Sequence, residues 1–118
     1  MALAFWLFCA AVALGGGLAI PYLRGSSRRP PWPVAAIHAA FGAAGLAALL
    51  IAIRRGLPPS AMGTAGFAPA AAILLALALT LGVMFALRRR RPAGVLVAVH
   101  ASLAIAGFVV LWTVVSLG

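Results

Sequence analysis

The sequence predicts an all-α membrane protein: four transmembrane helices in an up-down-up-down bundle, built from a duplicated helical hairpin. Three observations predict it. Four apolar stretches, each long enough to meet the roughly 20 residues a bilayer crossing needs, are separated by short breaks rich in Pro, Gly and Arg. The charge has one sign, with nine basic residues, all Arg, and no Asp or Glu; every Arg lies in a break between apolar runs. A pattern at the entrance of the second stretch recurs 62 residues later at the entrance of the fourth.

The first span is expected over Ala2 to Tyr22. It lacks a basic leader segment, and its apolar run exceeds that of a signal peptide, so it reads as a retained helix. Cys9 inside it is a small packing residue, since one cysteine offers no disulfide framework. The break Arg24-Gly25-Ser26-Ser27-Arg28-Arg29-Pro30-Pro31 leads into the second span, Pro33 to Ile53. Proline suits a helix entrance, where its missing N–H has no intrahelical partner to lose. Gly56-Leu57-Pro58-Pro59-Ser60 precedes the third span, Gly66 to Leu87, with Pro69 in its first turn. The block Arg88 to Arg91 with Pro92 leads into the fourth, Ala93 to Leu117. Residues 1–118 form a single four-helix domain, with repeat units of about 1–56 and 57–118.

Composition removes whole classes of chemistry. Charged residues are 8% of the chain, against roughly 25% in soluble domains, so a soluble fold is excluded. Without a carboxylate there is no paired-acid hydrolysis, no Ser-His-Asp triad and no Ca or Mg cage. The strong basic balance would otherwise point to nucleic acid, but Arg confined to breaks is membrane-flanking charge facing lipid headgroups. The breaks carry three, two and four Arg in chain order. The positive-inside rule then puts loops 1 and 3 in the cytoplasm and both termini outside. Tyr22 and Trp32 would mark the inner interface, Trp6 and Trp112 the outer. A composition heavy in Arg, Ala, Gly and Pro fits a high-GC bacterium, whose inner (plasma) membrane is the expected site.

Sliding the chain by 62 positions aligns Arg28-Arg29-Pro30 with Arg90-Arg91-Pro92, His38-Ala39 with His100-Ala101 and Ala44-Gly45 with Ala106-Gly107. Eight of the 19 positions from Arg28 to Leu46 are identical, which points to a duplicated hairpin in parallel orientation. The first helices of the two units match poorly in this register, so the repeat rests on the second and fourth spans.

Ionisable side chains inside a membrane are costly and mark function by default, which singles out the two histidines. His38, Gly42, Gly45 and Leu49 share one helix face, and His100, Ala104, Gly107 and Leu111 share the matching one. Each imidazole thus stands beside a strip without bulk, against which a flat group could lie. Short loops make helices 2 and 4 diagonal partners, and neighbouring axes about 8–10 Å apart put diagonal axes about 12–14 Å apart. Two inward imidazoles at that separation suit a metal in a planar macrocycle, the axial His-Fe-His ligation of haem b. The haem propionates would supply the missing negative charge, with Arg29 and Arg91, beside Arg28 and Arg90, as bidentate partners.

On these residues the chain resembles the membrane b-type cytochromes, in which histidines from facing helices of a four-helix bundle ligate haem. The resemblance covers the whole architecture and implies electron transfer, alone or within a respiratory-type complex. There is no CxxCH for covalent attachment, and the ligands suffice for one haem. A single haem near one face needs a quinone, another subunit or a second copy of the chain to complete transfer across the bilayer.

Other readings compete. A transmembrane His can serve only as an interhelical hydrogen-bond donor, and small residues at this spacing also serve plain helix packing. A divalent metal would lack protein ligands, since zinc takes three or four. A proton relay would lack its usual acids. Transport, as in the small four-helix multidrug exporters, would need a membrane-embedded acid, and a channel would need a polar ring. The strongest alternative is a non-haem accessory or assembly subunit lying against other helices. With no open acid, base or nucleophile in view, the chain reads as an electron carrier or subunit rather than an enzyme.

Overall fold

A computed structural model describes residues 1–26, 30–56, 66–88 and 92–117. It is all-helical, with α1 at Ala2–Leu23, α2 at Trp32–Arg54, α3 at Phe67–Leu87 and α4 at Gly94–Leu117. The boundaries fall within a residue or so of those expected from the apolar runs. Each helix is long and apolar enough to cross a membrane. None is amphipathic, and their outer faces carry Trp6, Ile37, Leu50, Ile73, Leu77, Val109 and Trp112 exposed. An apolar exterior all round is what a hydrocarbon solvent accepts and water does not.

The local signals act as elementary rules require. Pro33 occupies the first turn of α2, after the extended Pro31 cap. The chain leaves α1 and α2 through Gly25 and Gly56, both at positive φ (64° and 86°), a backbone region closed to most L side chains. Pro69 lies in the first turn of α3 as expected.

The helices form a ring in which α1 packs extensively on α2 and α3 on α4, while the α2–α3 and α1–α4 seams are lighter. The particle measures 50 × 21 × 19 Å, a near-square section that fits a two-by-two array of helices about 8–10 Å apart. The α1–α4 seam is propped by aromatic rings: Phe5 stacks on Phe108 at 5.5 Å, and Trp6 and Trp112 close around them.

Burial is confined to one half of the bundle. The buried residues are Ala4, Phe8 and Ala11 of α1, Gly45 and Leu49 of α2, Ala68, Ala71, Ala72, Leu75 and Ala78 of α3, and Gly107, Leu111 and Val114 of α4. The first halves of α1 and α3 therefore meet the second halves of α2 and α4 in one core, centred on Leu49, Leu75 and Leu111. Toward the ends joined by the Arg-rich connections, no described residue is buried.

Candidate functional site

The two histidines lie where this core ends. His38 in α2 and His100 in α4, on diagonally placed helices, bring their ring centroids to 6.1 Å with the planes at 72°. Both rings are partly buried.

Each imidazole is anchored in the same way. His38 Nδ1–H donates to the carbonyl oxygen of Ala11 in α1 at 2.8 Å. His100 Nδ1–H donates to the carbonyl of Ala78 in α3, also at 2.8 Å. A carbonyl can only accept, so a proton must sit on Nδ1, and in the neutral ring the lone pair is on Nε2. Neither Nε2 has a hydrogen-bond partner among the described residues.

Both anchors use a glycine four residues further along. In an α-helix the carbonyl of residue i already bonds the N–H of residue i+4, and the side chain at i+4 shields its outer lone pair. Gly15 follows Ala11 and Gly82 follows Ala78 at that spacing, leaving both carbonyls open to a second donor. The ring then fills the space that a side chain would take. A β-carbon on Gly15 would stand 3.0 Å from His38 Cε1, and one on Gly82 would stand 3.2 Å from His100 Cε1. On the α3 side Phe85 adds an edge contact to His100 at 5.7 Å.

The strips beside the histidines differ from the expectation of a bare cradle. Gly45 is covered by the Phe8 ring, whose atoms come within 3.1 Å of where a β-carbon would stand. Gly107 is covered still more tightly, with Leu75 Cγ at 2.8 Å. These two glycines seat large side chains of the neighbouring helix, so in this structure the deep ends of both strips are filled by packing. The filling has a simple cause: a glycine on an inward face offers close approach, and the nearest bulky neighbour takes it. Gly42 is half-buried with only Leu79 at an ordinary 3.8 Å, and Ala104 is half-buried. Arg29 and Arg91, expected to meet acidic groups of a cofactor, lie outside the described residues, as do Arg28 and Arg90. Arg24 and Arg88, at the ends of α1 and α3 nearest the histidines, are exposed.

Sequence reasoning placed His38 and His100 but missed Ala11, Gly15, Ala78 and Gly82. The signal was present in a second register. At a separation of 67 positions, Ala4, Ala11 and Gly15 of α1 meet Ala71, Ala78 and Gly82 of α3. Phe8, which covers Gly45, meets Leu75, which covers Gly107. The five residues by which this register exceeds that of α2 and α4 lie between Gly15 and His38, a stretch longer by that much than the one from Gly82 to His100. α1 continues eight residues past Gly15 but α3 only five past Gly82, and the first connection is two residues longer than the third.

Among the described residues no group of three or more His, Cys, Asp or Glu gathers to hold a metal ion. A bare ion at the histidine pair would thus have two protein donors. No protein-family model, no curated protein and no solved structure matches the chain.

Proposed function

We propose that the protein is a membrane haem-b protein, with His38 and His100 as the axial ligands of one haem and electron transfer as its function. The observation that carries this reading is the imidazole pair itself: two rings from diagonal helices at 6.1 Å, each with Nδ1 bonded to a backbone carbonyl and Nε2 without a partner among the described residues. A metal–nitrogen bond of about 2 Å on each side, plus about 1 Å from each nitrogen to its ring centre, requires about 6 Å for two trans imidazoles. Backbone bonding of the far nitrogen fixes the tautomer and orientation that ligation needs. Two donors are too few for a bare ion but complete one that arrives in a four-nitrogen macrocycle.

When bound, haem supplies a one-electron iron couple. The chain's own residues do the rest. Ala11 and Ala78 hold the two rings, the core of Leu49, Leu75 and Leu111 closes one side to water, and the absence of any acid keeps both imidazoles without a counterion. The Arg-rich connections at the histidine end supply positive charge for acidic substituents, with Arg29 and Arg91 as the proposed partners.

The same reading includes an up-down-up-down bundle made by duplication of a hairpin, supported by the matched pairs Ala11–His38 and Ala78–His100, Phe8–Gly45 and Leu75–Gly107. Loops 1 and 3 face the cytoplasm of a bacterial inner membrane. A quinone, another membrane subunit or a second copy of the chain takes the electron onward, because the site lies toward one end of the bundle.

The absorption spectrum of the purified protein, oxidised and then dithionite-reduced after haem supplementation, tests the reading. A sharp Soret band with reduced α and β bands is expected, and His38→Ala and His100→Ala should each abolish the six-coordinate form. Absence of these bands, or a six-coordinate spectrum in both single variants, overturns it. The second reading, an accessory subunit in which the histidines only tie helices together, is favoured by the same Nδ1 bonds and would then stand.

A further inference from the structure

We infer that Gly15 and Gly82 are positioning residues that set the orientation of the two imidazoles, each acting as the open side of a receptacle whose floor is the carbonyl four residues before it. The inference concerns the rings themselves, and only its second test rests on the haem reading.

Four observations converge on it. The Nδ1–H bonds end on Ala11 and Ala78, each four residues before a glycine. The nearest atom to a β-carbon on either glycine is the Cε1 of the bonded imidazole, at 3.0 Å and 3.2 Å. Neighbouring Gly16 and Gly17 have nothing within 4 Å, so the glycine run has one residue with this role and two without it. The two rings so held stand at 72° to one another. A methyl group at Gly15 or Gly82 lies closer to the ring than side chains normally approach, and it also shields the carbonyl. The ring must give by a few tenths of an ångström at either position, which strains and weakens its bond to the carbonyl.

The first test needs no cofactor. In protein labelled with nitrogen-15 on histidine, the imidazole spectrum of the wild type should show two Nδ1–H tautomers with slowly exchanging protons. Gly15→Ala should lose the His38 signal and keep that of His100, and Gly82→Ala should do the reverse with a smaller displacement, because its contact is looser. Gly16→Ala should change neither. An unchanged His38 ring in Gly15→Ala, or an equal change in Gly16→Ala, overturns the inference. Should Gly15→Ala fail to fold, the double variant Gly15→Ala/His38→Ala decides, since removing the ring removes the obstacle. Recovery of folding supports the inference, and continued failure overturns it.

The second test reads the loaded site. Nearly perpendicular axial imidazoles leave the iron π orbitals close in energy, so the ferric wild type should give a single low-spin resonance at large g. Gly15→Ala should shift it to a rhombic or high-spin spectrum, and an unchanged resonance counts against the inference. If the wild type takes up no haem, the haem reading fails, while the imidazole spectra still decide the role of the glycines.

Discussion

The two halves of the bundle hold their helices together by different physics. In the closed half, small residues receive large ones: Gly45 seats Phe8, Gly107 seats Leu75, and Leu49 and Leu111 are wholly buried. In the histidine half no described residue is buried, and each hairpin is tied by a polar bond from an imidazole to a backbone carbonyl. Within a bilayer, apolar burial gives helices little reason to prefer one another over lipid; close packing and hydrogen bonds provide it. Dispersion contacts need a filled interface, whereas a hydrogen bond fixes a pair of helices at one point and leaves the space around it free. The contrast explains how one end of a small bundle is held by filled interfaces while the other is held at two points, one in each hairpin.

Substitutions can break or sharpen this contrast. The largest effect is expected at the histidines, where His38→Ala or His100→Ala should abolish the six-coordinate spectrum of the proposed haem while leaving the chain helical by circular dichroism. Next comes Leu49→Ala. Emptying a fully enclosed leucine site should lower stability by about 2–5 kcal/mol, whereas Leu18→Ala, at a half-buried position of the histidine half, should cost much less. Equal losses in denaturant or thermal unfolding would abolish the distinction between halves. Gly107→Ala follows, at about 1–3 kcal/mol for overpacking against Leu75, with Gly45→Ala smaller because the Phe8 ring stands further off (3.1 Å against 2.8 Å). Leu75→Ala should relieve most of the Gly107→Ala penalty, the mark of two residues in direct contact. The smallest effect is expected for Thr80→Ala and Thr113→Ala. Their hydroxyls bond only the carbonyl four residues back in their own helix, and stability should move by no more than about 0.5 kcal/mol.

Much of the fold was legible before any coordinates. Length and apolarity delimit each span because the bilayer imposes one thickness, and Pro and Gly mark the ends through φ alone. The shared face of His38, Gly45 and Leu49 followed from helical periodicity, as did that of His100, Gly107 and Leu111. Both faces do turn inward, as the burial of Gly45, Leu49, Gly107 and Leu111 shows. The site was legible only in part. The 62-residue register exposed the matched histidines but hid their partners, because five extra residues between the glycine and the histidine of the first unit shift α1 out of phase with α3.

The sequence by itself determined how many helices there are, where they start and stop, and which way α2 and α4 face. Those properties depend on one segment at a time, on its length, its hydrophobicity and its repeat of about 3.6 residues per turn. Tertiary structure decided how far each helix slides along its neighbour, and with that which carbonyl receives each imidazole and which glycine each large side chain fills. On surfaces made of Ala, Leu and Val many registers look alike to a sequence, and only simultaneous packing of all four helices selects one.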